Sequence, residues 1–348
     1  VLSFIIKKLA YGILVLIGVT ILVFFLFQGF GDPSRLLMGQ TGNAATQENI
    51  RKELNLDKPK WKQFLLYVND VSPVSLHTRQ EIQNKELKGF FIGGERKLSL
   101  KLPYLRKSYQ SKKSVSSILL EALPGTLMLA FVAMFIAVAI GIPLGILAAV
   151  KQNTWMDSTA VFTSIIGISA PSFFMGIIIA YVFGFVLSDY TGLHITGSWF
   201  DIDFEGRKRL TLQNLILPAI TLGIRPLAII TQLTRSAMLD VLDQDYIRTA
   251  YAKGLSKRRV VWKHGLRNAL NPVITAITGW FAELLAGAFF IEYIFGWKGI
   301  GKVTVDALEK LDFPVVMGSV LVSACFFIAI NILADILYGV VDPRVRLK

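Results

Sequence analysis

The sequence is poor in the residues from which reactive sites are built. Its one cysteine, Cys325, excludes a disulfide scaffold and a cysteine-based metal site. The three histidines, His77, His194 and His264, are scattered, and no H-E-x-x-H occurs. No Ser/His/Asp arrangement matches a nucleophilic motif. Charged residues make up only 18% of the chain, against roughly 25% in typical soluble proteins. With 28 glycines and 12 prolines among 348 residues, a collagenous or disordered chain is also excluded. A net charge of +13 in so apolar a chain is tested first as a topology signal, not as a nucleic-acid footprint. The aromatic residues are span and interface anchors on this reading, and no nucleic-acid partner is expected.

What the chain does have is apolar length. Hydrophobic residues make up 53% and the mean hydropathy is +0.54. A bilayer core about 30 Å thick needs about 20 apolar residues in a helix. Leu9–Phe30 supplies one such stretch after Lys7 and Lys8. It is too long and too bulky at its end for a cleaved signal, so it reads as an anchor that starts in the cytoplasm. Pro124–Val150, Ser158–Leu187, Pro272–Phe295 and Phe313–Val341 follow the same pattern, and Leu212–Thr234 is the sixth despite Pro218, Arg225 and Pro226.

With the start inside, the cytoplasmic segments hold 14 Lys and Arg, and the two short external loops hold 6. The external stretch after the first span is also basic, but it exceeds the roughly 60 residues over which the charge bias operates. Both termini are therefore expected in the cytoplasm. The expected fold is an all-α membrane protein of six helices with an external subdomain after the first. Residues 1–30 form the anchor and 31–114 the external subdomain, with an insertion at about 75–114. Residues 115–341 form a five-helix core carrying a cytoplasmic loop at 235–271, and 342–348 form a tail. Within the subdomain, Gln47–Leu56 and Pro59–Val71 have helical spacing, with Thr46 and Pro59 as their starts. Residues 75–114 show no convincing periodicity, and no internal repeat is evident.

The informative stretch is Asp245 to Arg259. On a helix over 244–253, Tyr246, Ile247, Ala250 and Tyr251 share a face opposite Asp245, Arg248 and Ala252. Gly254 suits a left-handed cap, and Ser256 suits the start of a second short helix. Such an elbow either lies on the membrane surface or docks a partner.

The run Tyr246-Ile247-Arg248-Thr249-Ala250-Tyr251-Ala252-Lys253-Gly254-Leu255-Ser256, followed by Trp262 to Leu270, resembles the EAA-type loop of ATP-binding-cassette (ABC) importer permeases. It is closest to the inner-membrane subunits of the oligopeptide/dipeptide (peptide/nickel) transport family. Gly31-Asp32-Pro33, Leu54 to Pro59, Pro171-Ser172-Phe173, Phe295 to Gly301 and Asp342-Pro343-Arg344 extend the resemblance over residues 31–344, apart from 75–114. Asn271 departs from the Leu-Pro ending of the general importer motif.

The resemblance implies a type I importer permease that pairs with a second, homologous permease, two cytoplasmic ATPase subunits and an external solute-binding protein. ATP and magnesium would be bound by the ATPases, with no cofactor in this chain. Tyr246, Ile247, Ala250, Tyr251 and Gly254 are then the ATPase-coupling residues, and the chain is not an enzyme. An ion-coupled secondary transporter is the alternative, although it predicts internal repeats.

Five polar residues in or near the spans are candidates for the pathway or for interhelical bonding. Arg225 has three readings: a pathway cation for a substrate carboxylate, an ion-pair partner of Glu283, or a vestibule residue open to water. Asn331 and Asp335 share a face of the last span, where interhelical hydrogen bonds or a proton relay are the choices. Glu283 and Glu292 carry the same ambiguity. Gly296 to Lys302 nearly matches G-x-x-x-x-G-K-[ST], but Val303 replaces the hydroxyl residue, so nucleotide binding is not expected there. Cys325, set among apolar residues, is expected to be buried and inert.

Overall fold

The computed structural model describes residues 2–28, 34, 47–48, 51–52, 55–202 and 208–341. The expected cap at Thr46, residues 49–50 and 53–54 of the expected Gln47–Leu56 helix, the Gly31-Asp32-Pro33 motif and the 342–348 tail lie outside these residues.

The elements in chain order begin with α1 (Leu2–Gln28), α2 (Lys60–Val71), β1 (Val74–Thr78), α3 (Arg79–Asn84), β2 (Gly89–Ile92) and β3 (Arg96–Lys101). Then come α4 (Val115–Val150), α5 (Trp155–Ser169), α6 (Ser172–Tyr181), α7 (Ser188–Thr191), β4 (Phe200–Ile202), β5 (Lys208–Leu210), α8 (Gln213–Leu242) and α9 (Asp245–Ala252). The chain continues through α10 (Lys257–Arg259), α11 (Leu266–Gly287), α12 (Phe289–Ile294), α13 (Ile300–Glu309) and α14 (Phe313–Val341). Among the described residues, α1, α4, α8 and α14 are each long and apolar enough to cross a membrane.

Two expectations about the spans need correction. The third is not one rod. α5 and α6 meet at a bend of 107° around Ala170 and Pro171, because a residue before proline is driven out of the helical region and proline offers no N–H to the preceding turn. The fifth breaks at Ala288 into α11 and α12. Elsewhere, Pro124 is not a span boundary, since α4 begins nine residues earlier at Val115.

The all-α expectation also fails locally. The 75–114 stretch contains an antiparallel sheet of order β1-β3-β2, with Leu76 opposite Leu98 and Phe90 opposite Leu100. β4 and β5 form a second, two-stranded sheet. The first sheet escapes a hydrophobic pattern search because its inward row is polar: Ser75, His77, Ser99 and Lys101 are buried, whereas Leu76, Leu98 and Leu100 are exposed.

The chain divides into two compact units. One comprises Ala10–Ala122 and Val303–Ala324. In it Phe24 stacks on Tyr67 at 5.7 Å and Phe27 meets Phe313 at 5.2 Å. The buried Asp70 carboxylate there pairs with Lys85 and Arg106, and Lys101 donates to the Asp70 carbonyl.

The other unit comprises Val1–Leu9, Leu123–Lys302 and Cys325–Lys348. Its core includes Leu129, Ala133, Leu217, Ile230, Val273, Leu284, Ile291, Phe295 and Trp297. Small residues set the helix spacing, since a Cβ on Gly145 would lie 2.6 Å from the Thr231 carbonyl oxygen of α8. Cys325 is exposed, contrary to the expected burial.

Candidate functional site: the elbow after α8 and the polar residues of the spans

The elbow is built as its sequence suggests, with one redistribution of roles. α9 ends in a Schellman closure: Leu255 N–H donates to the Ala250 carbonyl and Gly254 N–H to that of Tyr251. Gly254 has φ +77°, a conformation that a side chain resists. Ser256 stands at the start of α10, but its side chain makes no capping bond. A π-helical turn, Val260–Gly265, then leads into α11.

The five residues expected to couple the ATPase divide between two tasks. Ile247 is 1% exposed, and with Ala250 and Val260 it forms a small core under α9, flanked by Leu242 and Leu255. Tyr246 and Tyr251 are 41% and 42% exposed, and Gly254 is exposed with open space beside it. The buried pair holds the elbow together, and the tyrosines and glycine are what it presents.

Tyr246 is oriented from the next element, because Asn268 on α11 donates to its hydroxyl at 2.7 Å. Arg248 reaches Asp243 at 3.3 Å and Asp245 at 3.5 Å, which ties the tip of the elbow to the end of α8. An open cleft lined by Ala149, Gln152, Asp240, Asp243 and Gln244 adjoins it. Sequence reasoning missed both Asn268 and the bidentate grip of Arg235 on Asp157, with Nη2 to Oδ2 at 2.8 Å. That grip fastens the start of α5 to α8. A carboxylate in the first turn of a helix, with an arginine toward the C-terminal end of a long apolar helix, was the available signal.

The polar residues within the spans separate cleanly. Asp335 pairs with Lys8 at 2.7 Å, so its partner is interhelical. The Asn331 amide donates to the Phe327 carbonyl one turn back. Arg225 lies over the Trp280 ring, 5.4 Å from its centre. Among the described residues no ion pair joins Arg225 to Glu283, which removes that reading. Both side chains are exposed on the protein surface. An ionised side chain facing lipid at mid-bilayer costs about 2.5–3.5 kcal/mol on insertion scales, so two of them on neighbouring helices call for water or a partner.

Glu292 is fully buried and explains the false phosphate loop. Its carboxylate accepts from Thr126 Oγ1 at 2.7 Å, from Lys302 N–H at 3.1 Å and from the Gly301 amide. Thr126 Oγ1 in turn accepts from Ile300 N–H at 2.8 Å. Trp297 Nε1 donates to the Gly125 carbonyl at 2.9 Å. The amides at the start of α13, where a nucleotide-binding loop would hold phosphate, thus hold an internal carboxylate. A Cβ on Gly299 would fall 2.3 Å from that carboxylate, so the glycine makes room for it.

A family model described as "Binding-protein-dependent transport system inner membrane component" matches residues 141–347, and its N-terminal companion matches 1–130. The dipeptide transport system permease protein DppB of Escherichia coli (strain K12) is 37% identical over 375 residues, covering 100% of this chain and 99% of the relative. The oligopeptide transport system permease protein AppB of Bacillus subtilis (strain 168) is 36% identical over 345 residues, covering 99% of each. A chain of the MetNI methionine ABC transporter, solved in inward-facing conformations, shares the fold with a TM-score of 0.51 at 18% identity, covering 65% of this chain and 97% of that one. With an elbow of the expected build between two long helices and full-length relatives above 30% identity, the chain belongs to the binding-protein-dependent transport system inner membrane components, the ABC importer permeases.

Proposed function

We propose that this chain forms half of the transmembrane pathway of an importer for short peptides or similar small solutes, energised by separate ATPases. The observation that carries the reading is the elbow: a closed helix, Asp245–Ala252, presents Tyr246 and Tyr251 between α8 and α11 and is braced from both. Two cytoplasmic ATPase subunits bind ATP and magnesium and grip that surface. Their closure tilts α9, and the Ile247–Ala250 core transmits the tilt to the spans. A second, homologous permease completes the pathway, and an external solute-binding protein delivers the substrate to the face bearing the β1-β3-β2 sheet.

Six crossings follow if α5–α6 and α11–α12 each count as one, with both termini in the cytoplasm. The Lys8–Asp335 pair supports this arrangement, because it joins the start of α1 to the end of α14. The ion-coupled alternative finds no support among the relatives.

Proteoliposomes holding this chain, its partner permease and the ATPases test the reading. Binding-protein-delivered dialanine should enter only with ATP and stop with vanadate. Uptake driven by a proton gradient without ATP would overturn it.

A further inference from the structure

The exposed rows of the long helices are of two kinds. On α4 and α5 the exposed large side chains include Phe131, Phe135, Phe162 and Ile166, the kind lipid accepts. On α11 the residues at four-residue intervals are Arg267, Asn271, Thr275, Gly279 and Glu283, all exposed and none aliphatic. Positions four apart are neighbours on a helix surface but drift about 40° per step, so this non-aliphatic row winds around α11 from Arg267 to Glu283. α8 packs against α11 in the same unit and presents Arg225 beside it, held over the Trp280 ring.

Trp280 and Glu283 are three residues apart, a rise of about 4.5 Å along the helix. Arg225, over the Trp280 ring, and Glu283 therefore stand about one turn apart along α11. Neither is engaged by an ion pair among the described residues. An exposed cation and an exposed anion about one helical turn apart are on the scale of the two ends of a two-residue chain, about 7 Å. A guanidinium stacked on an indole keeps its edge N–H groups free for a carboxylate. The open space beside Gly279 leaves room for a ligand next to Glu283.

We propose that Arg225 and Glu283 bind the two ends of a zwitterionic solute, a short peptide with free termini: Arg225 takes the carboxylate and Glu283 the ammonium. This rests on the importer reading above, and it adds that the permease itself discriminates substrates by their charged ends.

The test uses the assembled permease–ATPase complex without nucleotide or binding protein. It carries Cys325→Ser to remove the native thiol and Gly279→Cys as a reporter. A charged methanethiosulfonate reagent should modify the new thiol. Dialanine at about ten times its half-protecting concentration should slow that reaction about tenfold, by mass action. N-acetyl-dialanine and dialanine amide should not protect at the same concentration, and Arg225→Gln or Glu283→Gln should abolish the protection by dialanine.

A thiol that never reacts would mean the row faces lipid or the second permease, and the proposal fails. Equal protection by all three compounds would mean a pathway blind to termini, and the proposal fails equally. ATP-driven uptake by the same complex is measured in parallel. Its absence alongside selective protection would sink the importer reading and leave the site standing.

Discussion

The Lys8 ammonium lies 2.7 Å from the Asp335 carboxylate, which joins the first turns of α1 to the last turns of α14. Both side chains are about two-fifths exposed, so the pair is worth about 0.2–1 kcal/mol, as exposed ion pairs are. Its larger consequence is topological. Lys8→Cys and Asp335→Cys, made singly, should both label from the cytoplasmic side of sealed vesicles with an impermeant thiol reagent. Labelling from opposite sides would refute the shared face.

Ile247 and Tyr251 are expected to fail differently. Ile247→Ala removes the centre of the elbow's own core and should lower stability by about 2–4 kcal/mol, as buried truncations do, seen as a lower Tm in detergent. Tyr251→Ala should leave Tm within error but weaken co-purification of the ATPase subunits, at a cost of about 1–2 kcal/mol if the tyrosine anchors the interface. Equal loss of Tm in both variants would place Tyr251 in the structural core instead.

Gly254→Val forces a β-branched side chain into a left-handed conformation, at a cost of about 1–2 kcal/mol. Because the space around Gly254 is open, the penalty falls on the backbone and not on packing. Membrane insertion should be normal while ATP-driven uptake is lost. Wild-type uptake by this variant would remove Gly254 from the coupling role.

Glu292→Leu leaves the Thr126 hydroxyl and the amides of Gly301 and Lys302 without an acceptor. At about 1–3 kcal/mol for each unsatisfied buried group, a loss of about 3 kcal/mol or more is expected. A fall in Tm of only a degree or two would show that water reaches the site.

The buried polar row of β1 and β3 makes the three-stranded sheet sensitive to pH. Burial lowers the His77 pKa below its ordinary 6.5, with Lys85 and Lys101 adding to the effect. The folded state therefore holds fewer protons than the unfolded one below about pH 6.5, and stability is lost as pH falls through that range. Burial also lowers Lys101 to about 8, so stability should rise again between pH 8 and about 10. Hydrogen exchange across residues 74–101 should show faster opening at pH 5.5 than at 7.5, and His77→Gln should flatten the acid limb. An unchanged exchange profile would exclude His77 as the cause.

Most of the membrane part is legible from apolar run length, because a lipid-facing helix needs little beyond hydrophobicity and about 20 residues. Gly254 was legible because the left-handed cap singles out glycine. Three features were not. The β1-β3-β2 sheet hides because its buried positions are Ser75, His77, Ser99 and Lys101, which reverses the alternation a pattern search relies on. The burial of Ile247 beneath α9 depends on Val260, thirteen residues on, and no helical wheel brings that residue in. The role of Glu292 depends on Thr126, 166 positions away. In each case the deciding partner lies outside the window over which periodicity operates.

The bend at Pro171 bears on the lipid as well as on the protein. Fifteen residues of α5 rise about 22 Å, which falls short of a hydrocarbon layer about 30 Å thick, and the second leg, α6 with the π-helical turn that extends it to Val186, is no longer than α5. Neither leg matches the bilayer alone, and mismatch costs fractions of a kcal/mol per ångström, met by local thinning or by a neighbour that fills the wedge. Acyl-chain length thereby becomes a variable of this permease, and shorter-chain phospholipids would relieve the strain at that corner.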